Sequence, residues 1–286
     1  MIRLGLIGWP VSHSLSPVIH NRALAIAGLS GEYTLFPVDP SYPEQLDELL
    51  LRIRAGEING LNVTIPHKQL VMQKMDELTS PAKLIGAVNT IYLLDGKLVG
   101  HNTDAPGFMA DLLKYLRADQ LPEKAIVLGA GGSARAVISA LLQKSWSVTI
   151  AARKLEQAAD LVEHFKHIEH GIEISATKLD AEHLRKIIMS EIKPALIINT
   201  TPAGMYPKVD ASPWPEGLSF PSGVFVYDLV YNPRQSLILK QAQIAGIPSA
   251  NGLGMLIEQA ALAFEIWTGS TAPREQMLNA IVEATK

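Results

Sequence analysis

Four groups of residues in this 286-residue chain have types and spacings suited to chemistry. The first is Gly129-Ala130-Gly131-Gly132-Ser133-Ala134, which follows the apolar run 125–128 and precedes an apolar helical pattern. That context reads as a dinucleotide fingerprint. Gly129 permits the tight strand-to-helix turn, Gly131 lets backbone approach a pyrophosphate, and small Ala134 lets helix and strand pack closely. The helix start adds free N–H groups and partial positive charge for the phosphates. The second group is Ala151-Ala152-Arg153-Lys154, at the end of the next strand. NAD sites commonly carry an acid there for the ribose 2′-hydroxyl. Two cations in its place point to a 2′-phosphate, hence NADP.

The third group is Lys68 with Asp104. Pro66 reads as the first residue of a helix, which places Lys68 in its first turn, near the positive end. Such a placement weakens a lysine's hold on its proton and suits a group that gives a proton up and takes it back. Asp104 precedes a helix expected to reach about residue 116. There it serves as N-cap or, beside Lys68, as half of an acid–base pair. A surface lysine and a capping aspartate are the plainer readings. The fourth group is Ser12-His13-Ser14-Leu15-Ser16, after a first strand at 2–7. Ser14 and Ser16 suit a carboxylate or hydroxyl at a strand's carboxyl end, although Ser16 before Pro17 also reads as an N-cap.

These residues need a scaffold, and the rest of the chain describes one. Length suggests one to two domains. A composition 48% hydrophobic and 19% charged, with formal net charge −3, is that of an ordinary soluble globular protein. No basic surplus points to nucleic acid, and no apolar stretch approaches the roughly 20 residues of a membrane span. The apolar run 2–9 is too short for a signal sequence and stops at Pro10. Absence of cysteine excludes disulfides and thiolate catalysis and fits a cytoplasmic setting.

The first part predicts strands at 2–7, 32–38 and 60–63. A capping box at Ser41–Glu44 opens a helix to about residue 55, and a short helix runs from Ser80 to Gly86. Asp95-Gly96 between apolar runs is a hairpin signal, so this sheet is expected to be mixed. After a polar linker at 119–124 the pattern is βαβ, with strands at 125–128, 147–151, 172–176, 195–199 and 224–229. His164, His167 and His170 recur every three residues, but no completing ligands accompany them, and no metal is expected. The long loop from Thr200 to Pro221 has the length of a binding loop. Two final helices, one carrying Gln259 and one over 273–284, have no strands left to pair with. They are expected to pack back on the first domain.

Taken together, Pro10–Pro17, Asn62–Lys68, Gly86–Thr90, Asn102–Asp104, Gly129–Gly132, Asn199–Pro202 and Asn251–Met255 closely resemble the shikimate dehydrogenase family, in its order along nearly the whole chain. The resemblance implies an α/β protein in two parts. Residues 1–103 and 251–286 would form a mixed-sheet substrate-binding and catalytic domain, and 104–250 a doubly wound Rossmann domain for NADP. It implies reversible reduction of 3-dehydroshikimate to shikimate, on the way to chorismate and the aromatic amino acids. Lys68 would be the catalytic lysine, paired with Asp104. Ser14 and Ser16 would hold the substrate carboxylate, and Thr64, Asn89, Asp104 and Gln259 the ring hydroxyls, with Tyr231 beside substrate and nicotinamide. Gly129, Ala130, Gly131, Gly132 and Ser133 would cradle the pyrophosphate, and Arg153 would clamp the 2′-phosphate. Leu229 and Gly252 would line the nicotinamide.

The chain departs from the family pattern at several positions. His67 stands where an aromatic is usual. Ala152 and Lys154 flank Arg153 where Asn and Thr are usual, and Gln157 replaces a frequent second arginine. NADP preference then rests mainly on Arg153, with Lys154 as substitute, and relaxed NAD use is the alternative. Ser16, where quinate-using relatives often carry threonine, favours shikimate over quinate. A non-catalytic paralogue is a further alternative, disfavoured by intact Lys68, Asp104, Ser14 and Gln259. The expected partner is a small molecule, with no nucleic acid or membrane; monomer and homodimer both stay open.

Overall fold

The structure, a computed structural model, describes residues 1–116, 124–166, 171–190 and 194–284. The chain forms two compact units, Met1–Gly107 with Ile257–Lys286, and Phe108–Leu256.

The first unit holds a six-stranded sheet of β1 (Ile2–Gly8), β2 (Gly31–Pro37), β3 (Gly60–Val63), β4 (Glu77–Leu78), β5 (Thr90–Leu94) and β6 (Lys97–His101), in the order β2-β1-β3-β5-β6-β4. β1 pairs in parallel with β2 and β3, while β5 runs antiparallel to β3 and β6, so the sheet is mixed as expected. The hairpin turns at Asp95 and Gly96, both with positive φ (51° and 76°), as a tight two-residue turn requires. Alternation along the strands divides the core. Ile7, Leu61, Val63 and Ile91 face α2 (Glu44–Arg54), which buries Leu46, Leu49, Leu50 and Ile53. Leu4, Leu6 and Tyr33 pack together with Trp267 of α9 (Leu253–Thr268). A Cβ at Gly60 would overlap the Trp267 indole, whose Nε1 donates to Ile91 O at 3.1 Å. That close approach explains how a C-terminal helix seats on this sheet. The last helix, α10 (Arg274–Ala284), packs against α1 (Ser16–Ile26). Both final helices therefore return to the first unit.

Several expected helix starts differ. Leu15, not Ser16, occupies the N-cap of α1, so Ser16 is the first helical residue. No capping box forms at α2. Its N-cap is Pro43, and Ser41 N instead donates to Asp39 Oδ1 (2.8 Å), an Asx turn that competes with capping. Pro66 does not open an α-helix. It sits in a turn closed by His67 N donating to Thr64 O (3.0 Å), and only a 3-10 helix, Leu70–Lys74, follows. A proline at a helix start and one inside a turn give the same sequence signal. Thr79 caps α3 (Ser80–Ile85), which Gly86 closes with φ 70°.

The second unit is a parallel six-stranded sheet of β7 (Lys124–Leu128), β8 (Ser147–Ala152), β9 (Ile174–Lys178), β10 (Leu196–Asn199), β11 (Phe225–Asp228) and β12 (Ser249–Asn251). The order β12-β11-β10-β7-β8-β9 reverses direction between β7 and β10, the doubly wound arrangement whose ligands lie at that switch point. Helices α5 (Gly132–Leu142), α6 (Leu155–Phe165), α7 (Ala181–Ile188) and α8 (Leu237–Ile244) complete it. β12 went unpredicted because three half-polar residues give no periodicity. The division between units falls inside α4 (Asp104–Leu112) and inside α9, a few residues beyond the expected boundaries, because each helix runs unbroken across it. α4 ends at Leu112, short of 116. His164 lies in α6, whereas His167, His170 and most of the 119–124 linker fall outside the described residues. Among the described residues no helix is long and apolar enough to cross a membrane.

Candidate active site

Strand register brings four loops to one end of the first sheet. β1 and β3 run parallel with Ile7 opposite Val63, so residues 9–15 and 64–69 leave the same edge. Trp9 N donates to Ile65 O (2.9 Å) and Thr64 N to Ile7 O (2.8 Å), tying the two exits together. Antiparallel β5 starts where β3 ends, with Asn62 opposite Thr90, and β6 ends there too, with Thr90 opposite His101. Ser14, Ser16, Thr64, Lys68, Asn89 and Asp104 all come from these segments. Gln259 joins from α9. A Cβ at Gly107, one turn beyond Asp104, would lie 2.7 Å from Gln259 N.

Lys68 and Asp104 form a buried ion pair, Nζ donating to Oδ2 at 2.7 Å, with only 11% and 7% of their side chains exposed. Lys68 lies ahead of the 3-10 helix rather than in a helix's first turn, so the dipole reasoning from sequence does not apply. Asp104 is the first residue of α4, and Asn102 Oδ1 receives its N–H (3.0 Å). The other carboxylate oxygen, Oδ1, accepts from Asn89 Nδ2 (2.8 Å). Thr103 N donates to Asn89 Oδ1 (2.8 Å), which fixes which way that amide faces. Asp104 thus meets only donors, as a carboxylate should, and compensates the buried ammonium of Lys68. Lys68 O accepts from Val88 N (2.8 Å), anchoring its backbone. The neighbouring His67 is buried, with Nε2 2.7 Å from Val38 O. A carbonyl can only accept, so His67 carries its proton on Nε2.

Ser14 and Ser16 interlock. Ser16 N donates to Ser14 Oγ (3.2 Å), and Ser14 Oγ donates to Ser16 Oγ (3.1 Å). The hydroxyl hydrogen of Ser16 is then available at the positive end of α1, a position that favours an anion.

In the second unit Gly129 has φ 110°, and a Cβ there would press on Thr200 Oγ1 at 2.7 Å. Gly131 is the N-cap of α5 with no side chain over it, and nothing lies within 4 Å of a Cβ placed there. An uncapped helix start faced by glycine, with Gly132 and Ser133 in its first turn and Ala130 before it, fits a pyrophosphate. Ala134 is fully buried against the sheet. Ala152 ends β8 in the core, while Arg153 and Lys154 are exposed, the latter as N-cap of α6. Neither makes an ion pair among the described residues. Gly252 packs on Leu229, whose carbonyl a Cβ at Gly252 would overlap. Tyr231 is half-buried, and burial raises its phenol pKa.

Some positioning residues escaped sequence reading. Asp228 Oδ1 accepts from Asn199 Nδ2 (2.8 Å) and Val230 N (3.0 Å), and Asp228 Oδ2 from the Ser236 hydroxyl. Asn199 Oδ1 in turn receives Thr201 N (2.8 Å) and the Thr201 hydroxyl (2.7 Å), so one buried acid organises both loops. Desolvation pushes Asp228 up to about 6. A polar residue closing an otherwise apolar strand was the available signal.

Residues 6–91 match a family model described as the shikimate dehydrogenase substrate binding domain. Residues 113–206 match one for shikimate/quinate 5-dehydrogenase, and 252–282 the shikimate 5′-dehydrogenase C-terminal domain. Shikimate dehydrogenase (NADP(+)) of Methanopyrus kandleri is 42% identical over 282 residues, 98% of this chain and 94% of that protein. A Thermus thermophilus shikimate 5-dehydrogenase, solved with NADP(H) and shikimate, aligns with TM-score 0.83 at 36% identity, covering 99% and 100%. The 5-ketofructose reductase of a Gluconobacter strain aligns with TM-score 0.82 at 29% identity, covering 99% and 98%. With near-complete coverage at such identity, this chain belongs to the shikimate dehydrogenase family.

Proposed function

We propose that this chain is an oxidoreductase that reversibly reduces 3-dehydroshikimate to shikimate with NADPH, in the pathway towards chorismate and the aromatic amino acids. The observation that carries this reading is the buried 2.7 Å pair of Lys68 and Asp104, set among hydroxyl-binding side chains at one sheet end. Residues 1–103 and 251–286 supply most of the substrate site and residues 104–250 most of the dinucleotide site. When bound, the dinucleotide supplies the two electrons, delivered as hydride to the substrate's C3 carbonyl carbon. Lys68 Nζ gives a proton to the carbonyl oxygen as it becomes a hydroxyl, and in reverse takes it back. Asp104 holds the ammonium in place and stabilises its charge. Ser14 and Ser16 bind the carboxylate; Thr64, Asn89, Asp104 and Gln259 bind the ring hydroxyls, and Tyr231 is a further substrate-binding residue. Gly129 to Ser133 hold the pyrophosphate, Arg153 and Lys154 beside Ala152 the 2′-phosphate, and Leu229 and Gly252 the nicotinamide. The setting is cytoplasmic.

A carbonyl sugar such as 5-ketofructose carries no carboxylate, so the paired serines at the α1 N-terminus favour a carboxylated ring instead. The exposed Arg153, with Ala152 in place of a polar neighbour, supports a second reading in which NAD is also used. An absorbance assay of NADP⁺ and NAD⁺ reduction with shikimate, quinate and no acid distinguishes these. Rapid NADP⁺ reduction with shikimate alone is the expected result. Lys68→Ala is expected to lose roughly 10²–10⁴-fold in turnover, the usual contribution of a general acid–base group, while dinucleotide affinity stays unchanged.

A further inference from the structure

We infer that Tyr33 is a positioning residue for the Lys68–Asp104 pair, acting through a buried hydrogen-bonded relay whose donors all point towards Asp104. The Tyr33 hydroxyl, inside the sheet on β2, donates to Asn62 Oδ1 at 2.8 Å. This leaves the Asn62 Nδ2 to donate to Asn89 O (3.1 Å) and to Thr90 Oγ1 (3.3 Å). Since a backbone carbonyl only accepts, the Asn62 amide has one allowed orientation, and its oxygen requires a donor. Thr90 Oγ1, having accepted, donates to Asn89 Oδ1 (2.9 Å), and Asn89 Nδ2 donates to Asp104 Oδ1 (2.8 Å). Tyr33 is 2% exposed, Asn62 6%, Thr90 0% and Asn89 2%, so water does not substitute for a missing link. The Tyr33 ring is itself clamped, stacked on His20 at 4.3 Å and 4° between planes. Its backbone is held from both sides by Asn21, whose Oδ1 receives Tyr33 N and whose Nδ2 donates to Tyr33 O. A polar side chain so deep in a strand pair has no packing reason to be tyrosine rather than phenylalanine. Its hydroxyl supplies the donor that the Asn62 oxygen requires, and so holds Asn62 in place beneath Thr90 and Asn89.

The inference rests on Lys68 and Asp104 carrying proton transfer in the proposed reaction. Tyr33→Phe removes one oxygen and with it the hydrogen bond to Asn62 Oδ1. The expected result is a fall in kcat of roughly five- to tenfold with shikimate, KM and dinucleotide affinity staying within about twofold. Thr90→Val cuts the same relay nearer the site with little change of shape and is expected to lower kcat similarly. In the double variant the losses should not multiply, because the relay is already broken. Three results overturn the inference: unchanged kcat in folded Tyr33→Phe, a change confined to KM, or full multiplication of the two losses. An inactive wild-type chain would overturn the proposed reaction and this inference together, whereas an active wild type with an unaffected Tyr33→Phe overturns this inference alone.

Discussion

Ser14 accepts the N–H of Ser16 and turns its own hydrogen onto Ser16 Oγ, so the hydroxyl left to donate outward is that of Ser16. The two serines are therefore unequal in spite of their identical chemistry. In the proposed site Ser16→Ala would delete a charge-assisted hydrogen bond to the substrate carboxylate, and about 1.4 kcal/mol of lost binding corresponds to roughly a tenfold rise in KM for shikimate. Because that carboxylate would be remote from the reacting carbonyl, kcat should change little. Ser14→Ala, which keeps the Ser16 hydroxyl, should raise KM less. Steady-state kinetics at saturating NADP⁺ check both, and an unaltered KM in Ser16→Ala would place the carboxylate elsewhere. His67 shows the same dependence of role on partner. Its Nε2–H is used on Val38 O, while Nδ1 is buried with no partner among the described residues, so it acts as a tether between β2 and the Lys68 turn.

At the scale of elements, α5 is the clearest case of function carried by backbone. Its N-cap is Gly131, open where a side chain would sit. Gly131→Asp places a carboxylate where the phosphates are expected. Helix capping would tolerate it, since aspartate is a favoured N-cap, but the anion would repel the dinucleotide. Affinity for NADP⁺ is expected to fall by roughly 10²-fold, read by titration of the protein's tryptophan fluorescence, with the melting temperature unchanged or raised. An affinity equal to wild type would remove this loop from the cofactor site. This loop was legible in the sequence because strand, glycine spacing and helix lie within a dozen consecutive residues. The hairpin at Asp95-Gly96 was legible for the same reason. The Pro66 turn was not, as its signal is shared between two local structures, and neither was the capping of α1 and α2, where neighbouring Asx and serine bonds compete. The relay from Tyr33 to Asn89 joins residues 56 positions apart across three strands, and register across strands is not encoded in local pattern. Asn62 within an apolar strand was the only hint.

At the scale of the molecule, each unit buries one titratable group whose expected contributions to stability change with acid in opposite directions. In the first, His20 is fully buried, and burial, only partly offset by Asn62, lowers its pKa from 6.5 to about 3. A histidine depressed in the folded state stays neutral there while the unfolded chain takes up its proton. Its contribution is thus complete above pH 6.5 and is lost as pH falls towards 3. The full gap corresponds to on the order of 5 kcal/mol. In the second unit burial raises Asp228 from 3.8 to about 6. Here the folded form binds a proton that the unfolded chain has released. Stability from this group is complete below 3.8 and is lost as pH rises through 6, by up to about 3 kcal/mol. Between pH 7.5 and 4.5 the first unit should therefore lose stability from His20 while the second gains from Asp228. Hydrogen exchange followed by mass spectrometry, resolved by segment, reads the two units separately at each pH. His20→Phe, which can keep the stack on Tyr33, should flatten the acid slope in β1–β3 and leave β7–β11 unaffected. Asp228→Asn, which can still accept from Asn199 and Val230 and donate to Ser236, should do the reverse. Parallel slopes in both units, insensitive to either substitution, would mean that neither buried group governs the response to acid.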